Sequence, residues 1–167
     1  TILLVPTGEG VGLTSACLGL IYALECQGAK AGFLKPFAQE LNEIEDRTTA
    51  LYRHISQSET VEPIRYSKVL QQINLGEQDE LLEEAVRLHR QIAKQHDLII
   101  VEGLLPNTQD SFADDLNAAL AQALDAKVIV VSNANILKPS QTADKIEHQL
   151  RNFGGASSTR LAGIMLM

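Results

Sequence analysis

The sequence predicts an α/β domain built as a parallel β-sheet with helices on both faces, three layers in all. Two observations predict it. Short continuous apolar runs, of the kind that fill a strand buried on both sides, alternate with longer stretches whose apolar residues recur at helical spacing. In addition, the first apolar run passes through a glycine-rich loop directly into such a helical stretch, the beginning of a strand, crossover, strand alternation.

Taken in order, Ile2 to Val5 (ILLV), ended by Pro6, reads as the first strand. Beyond the glycine loop, Leu13, Cys17, Leu20, Ile21 and Leu24 mark one face of a helix, and Gly28 supplies the left-handed residue after its last turn. Ala31 to Leu34 reads as the second strand, Leu98 to Val101 (LIIV) as the third, Lys127 to Val131 (KVIVV) as the fourth and Leu161 to Leu166 as the last. Between them lie helical patterns at Leu81 to Gln95, Ala113 to Leu124 and Pro139 to Phe153, the last opened by a proline and closed by Gly154-Gly155. The stretch from Gln39 to Gly76 is less regular: a helix around Asp46 to Ile55, a polar passage through Pro63 to Arg65, then a further short helix. With no internal repeat and no low-complexity linker, residues 1 to 167 read as a single domain.

Composition narrows the function. A chain of 167 residues can bury a full core, and no stretch approaches the roughly 20 apolar residues of a membrane span. Fourteen Lys and Arg stand against 21 Asp and Glu, a net charge of −7 without any basic run, which argues against a nucleic-acid partner. Cys17 and Cys26 fall on different sides of one helix and are not a disulfide pair; with no signal-peptide pattern the expected location is the cytoplasm. A first residue that is Thr1, and a last apolar run LAGIMLM, read as those of a piece of a longer polypeptide.

In an open parallel sheet ligands bind beyond the carboxyl ends of the strands. The first strand delivers the loop from Pro6 through Thr7, Gly8, Gly10 and Gly12 to Thr14 and Ser15; the second delivers Lys35, the third Glu102 and Gly103, the fourth Ser132 and Asn133. A cation, an acid and a loop of backbone amides are thus expected along one edge. Glycines allow successive N–H groups to face an anion, and the helix start adds its positive dipole end, so Thr7, Gly8, Gly10, Gly12, Thr14, Ser15, Lys35 and Glu102 are the candidate binding residues. A complete phosphate loop also needs a lysine directly before the Ser/Thr, and here that position is Leu13. The plainer reading is a tight turn with Leu13 packed inward. Lys35 reads either as a solvated strand-end lysine or as a ligand contact, and Glu102 either as a metal ligand or as a cap for the loop Gly103 to Thr108. His54, His89, His96 and His148 lack metal-ligand spacing and read as surface residues; Ser15, Ser111 and Ser132 suggest no triad. The acidic group Glu77, Asp79, Glu80, Glu83 and Glu84 reads as a solvated helix start.

Four motifs in order, VPTGEGVGLTS at Val5 to Ser15, FLKPFAQ at Phe33 to Gln39, VEGLLPN at Val101 to Asn107 and NFGGA at Asn152 to Ala156, resemble the N-terminal domain of the long bacterial phosphate acetyltransferases. That domain is itself similar to dethiobiotin synthetase, which has Gly-Lys-Thr where this chain has Gly12-Leu13-Thr14, and an aspartate used with the metal where this chain has Gly8. The resemblance implies a P-loop NTPase-like fold with a degenerate loop, no catalytic residue and no metal in this chain, and at most a weakly held nucleotide or other anionic metabolite. It further implies a C-terminal catalytic domain, absent from this chain but part of the same polypeptide, that interconverts acetyl-CoA and phosphate with acetyl phosphate and CoA. The domain's part would be regulation by effectors such as pyruvate or NADH and assembly of a homo-oligomer, a hexamer in the full-length enzyme. Two other readings stand beside it: an ATP-dependent ligase of the dethiobiotin synthetase class in which Lys35 takes over the missing charge, and a purely structural oligomerisation module with an empty site.

Overall fold

In the computed structural model, which describes residues 1–39, 46–56, 60–106, 112–134 and 138–167, the central strand of the sheet is the first in sequence. Strands β1 (Ile2–Pro6), β2 (Ala31–Leu34), β3 (Leu98–Glu102), β4 (Lys127–Ser132) and β5 (Leu161–Leu166) lie in the order β2-β3-β1-β4-β5, all parallel. Helices α1 (Leu13–Cys26), α2 (Arg47–Ser56), α3 (Tyr66–Leu75), α4 (Gln78–Ala93), α5 (Ala113–Ala123) and α6 (Pro139–Arg151) occupy the connections.

Strand alternation sorts the core into two halves. Leu4, Phe33, Ile100 and Val131 face α1, where Leu13, Cys17 and Ile21 meet them together with Tyr52 of α2. Leu3, Val5, Val101, Val128 and Val130 face the other way, toward Val69 of α3, Leu81, Ala85 and Ile92 of α4, Leu116 and Leu120 of α5, and Leu150 of α6. These are the three layers the sequence predicts.

Three details differ from expectation. Helix α4 starts at Gln78 rather than Leu81, because a polar first turn carrying Asp79 and Glu80 suits the helix dipole before any apolar residue is needed. Strand β5 is not covered on both faces: its register slips between Val128 and Ile129, α6 packs over β4, and Ile164 and Leu166 remain exposed. Nor are all the histidines on the surface. His54 and His148 are, but His89 is half-buried against the hydroxyl of Thr1 at 2.8 Å, and His96 is half-buried with Nδ1 2.9 Å from the Ile92 carbonyl. Spacing along the sequence could not show which neighbouring element covers those rings. Asn107, Thr108 and Ser111 lie outside the described residues.

Candidate functional site

Beyond the carboxyl ends of β1 and β4 the glycine loop is tied down from below. The Thr7 amide donates to the Val131 carbonyl at 2.9 Å, and the Thr7 hydroxyl donates to Ser132 Oγ at 2.9 Å. Gly12 takes φ of 81°, a left-handed conformation that glycine enters without steric cost, and its carbonyl accepts the Ala16 amide at 2.9 Å to begin α1. A side chain at Gly12 would also meet that of Met167, about 3.5 Å away. Gly8 is half-buried beside Lys145, and Gly10 and Ser15 are exposed. Leu13 is only 5% exposed and belongs to the core cluster of Cys17, Ile21, Phe33 and Val131, so the position before Thr14 faces the protein interior.

Beside the loop sits a buried ion cluster. Lys35 follows β2 and Glu102 ends β3, adjacent strands whose register pairs Leu34 with Val101. Lys35 Nζ lies 3.3 Å from Glu102 Oε1 and 2.7 Å from Asp46 Oδ2. All three side chains are at least nine-tenths buried, which excludes the reading of Lys35 as a solvated lysine. Asp46 uses its other oxygen to start α2: Oδ1 accepts the Thr49 amide and the Thr49 hydroxyl, each at 2.9 Å. Thr14 Oγ1 is 3.2 Å from Thr48 Oγ1, so the loop and the cluster touch through a pair of hydroxyls.

The electrostatics follow from that geometry. Burial alone would lower the ammonium pKa of Lys35, but the carboxylates of Glu102 and Asp46 outweigh it and raise it above 10.5. Burial pushes Glu102 above 4.5, against the opposing pull of Lys35 and the Thr48 hydroxyl. Cys17, beneath the cluster, has its thiol pushed up by burial first and by Glu102 second. A cation bound by Asp46 and Glu102 would have to displace the ammonium between them, and no set of three or more metal-ligating side chains occurs among the described residues.

The remaining predicted motifs brace these groups. Gln39 makes a two-way clamp on Leu105, accepting its amide and donating to its carbonyl, both at 3.1 Å. Asn117 of α5 does the same for Leu104 at 2.8 Å each way, and Gly103 leaves no room for a side chain, since a Cβ there would fall 2.8 Å from the Leu4 carbonyl oxygen. Of the candidate residues, the structure pairs Lys35 with Glu102 and links Thr14 to them through Thr48, with Thr7, Gly8, Gly10, Gly12 and Ser15 along the adjoining loop. Sequence reasoning missed Asp46 and Thr48; the available signal was that a lysine buried beside one acid calls for further partners, and Asp46 was read only as a helix start.

A family model described as an AAA domain matches residues 1–166. The chain belongs to that AAA domain family. This AAA domain is 65% identical, over its whole length, to phosphate acetyltransferase of Acinetobacter baylyi and 38% identical, over 99% of it, to phosphate acetyltransferase of Haemophilus influenzae. It spans only 23% and 24% of those two proteins, whose names therefore describe polypeptides several times longer than this domain. Among solved structures, the signal recognition particle 54 kDa protein of Aeropyrum pernix matches 99% of the AAA domain and 34% of its own chain, with a TM-score of 0.65 at 16% identity. That likeness is one of fold and agrees with the P-loop NTPase-like architecture.

Proposed function

We propose that this AAA domain is a regulatory and assembly domain of a phosphate acetyltransferase and does no chemistry alone. The interconversion of acetyl-CoA and phosphate with acetyl phosphate and CoA belongs, in this reading, to a separate C-terminal catalytic domain of the same cytoplasmic polypeptide. The observation that carries the proposal is Leu13: where phosphoryl transfer needs a cation over the terminal phosphates, an apolar side chain is buried in the core. Lys35 offers no substitute, because its charge is already balanced by Asp46 and Glu102, and this disfavours the ligase reading. The glycine loop, Thr14, Ser15 and the Lys35 and Glu102 cluster are read as a degenerate site for a weakly held anionic metabolite, through which effectors such as pyruvate or NADH act.

The test compares the longer enzyme with and without this domain. The isolated domain is expected to form no acetyl phosphate from acetyl-CoA and phosphate and to hydrolyse no ATP. Removing it should alter the effector response and the hexameric assembly while leaving the acetyl transfer itself in place. Acetyl phosphate formation or ATP turnover by the domain alone overturns the reading.

A further inference from the structure

The outer face of α4 carries a charge pattern that the proposed site does not use. Asp79, Glu83, Val86, Arg87, Arg90 and Lys94 follow one another at helical spacing, so they form one stripe along a helix of 16 residues, about 24 Å long, and onto Lys94 directly after its end. The stripe is acidic at its start, apolar at its centre and basic at its end. It borders two adjoining clefts of about 670 and 500 Å³ that share Val86, Arg90 and Ala123 of α5. Asp79, Glu83, Arg87, Arg90 and Lys94 are exposed, and among the described residues they make no ion pair. The helix dipole accounts for the acidic start and the basic end, but not for the open clefts that meet at Val86 between them.

We propose that this stripe is a two-fold interface between two copies of the chain, their α4 helices packed antiparallel. A two-fold interface must be complementary to itself, and this one is. Turning a second α4 end for end about the step between Val86 and Arg87 sets Glu83 opposite Arg90 of the copy and Asp79 opposite its Lys94. Each match occurs twice. At the centre the methylene stem of Arg87 lies over Val86 of the other copy, and the two clefts are filled. The parallel arrangement would set like charges against each other along the whole helix, so the pattern also selects orientation. This gives the assembly part of the reading above, on which it rests, a specific surface.

Sedimentation velocity on this chain and on two single charge reversals tests it. The unaltered chain should associate reversibly, less so at high salt because the matched charges are exposed at the rim. Glu83→Arg and Arg90→Glu should each weaken self-association by about tenfold or more, since each turns both copies of one match into repulsion. An equimolar mixture of the two variants should associate again, because every repelling match then becomes an attracting one. Both sites are exposed and both variants should fold, which circular dichroism checks. A chain that stays monomeric at millimolar concentration overturns the proposal, as does a mixture that fails to associate. Association indifferent to either reversal overturns this surface but leaves the assembly reading standing, which the comparison of the longer enzyme with and without the domain decides separately.

Discussion

The ammonium of Lys35 lies 2.7 Å from Oδ2 of Asp46, while Oδ1 of the same carboxylate holds the first turn of α2. One side chain thus joins the end of β2 to the start of a helix on the α1 face of the sheet. Replacing Lys35 with methionine removes the shared partner of two buried carboxylates. Because breaking a buried pair leaves uncompensated charge, the expected loss is about 3–5 kcal/mol. Urea unfolding followed by circular dichroism measures it; a loss below about 1 kcal/mol, the range of an exposed pair, contradicts the geometry.

Leu13 is a core residue in a position usually read as functional. Leu13→Ala should cost about 2–5 kcal/mol, as other buried leucine truncations do. Ser15→Ala, two residues along on the exposed side of α1, should stay within about 0.5 kcal/mol. Comparable urea midpoints for the two variants would mean that Leu13 faces the loop and not the core.

His89 provides a pH signature. Burial holds its imidazole below 6.5, with Arg90 adding to the effect. The unfolded chain therefore takes up the proton more readily than the folded one, so His89 makes stability fall as pH drops from about 6.5 through its folded pKa. Glu102 works in the opposite sense: its raised pKa favours the folded state as pH falls toward 4.5. Urea unfolding of wild type and His89→Gln between pH 7.5 and 5 should show wild type losing stability relative to the variant on acidification; parallel curves contradict the burial of His89.

The two cysteines should separate cleanly. Cys26 is exposed, whereas Cys17 is buried with its thiol held in the unreactive protonated form. Titration of the native chain with a thiol reagent should show one fast equivalent, and Cys26→Ser should abolish it. The second equivalent should appear only on unfolding. Two fast equivalents in the native state would place the Cys17 thiol in solvent.

Much of this was legible in advance, and the exceptions have a common cause. The strands announced themselves as continuous apolar runs, and Lys35, Glu102 and the glycine loop stand at strand ends where the reading placed them. Proximity of strand ends is a property of the parallel sheet, so it can be inferred from the alternation of elements. Asp46 was hidden because it reaches Lys35 from a helix start in the least regular part of the chain, where no period fixes direction. The Gln39 and Asn117 clamps were hidden too: one joins the segments after β2 and β3, the other joins α5 to the segment after β3, and the closeness of each pair depends on strand order, which is not written in any local pattern. The exposed flank of β5 required knowing that α6 sits over β4. The inward packing of Leu13 was only the plainer of two readings of the loop, and it took the neighbours of Leu13 in the fold to place it in the core.

The central place of β1 bears on how the chain comes to be folded. Ile2 pairs with Ile100 on one side and with Lys127 on the other, so β1 is made well before either of its neighbours in the sheet. At a synthesis rate of roughly 5–20 residues per second, β1 waits on the order of ten seconds for both partners. During that wait an apolar strand with two open edges is exposed, and the contacts that close it span most of the chain. This domain is therefore at its most vulnerable to aggregation before β4 is made, and chaperone engagement during translation should centre on β1.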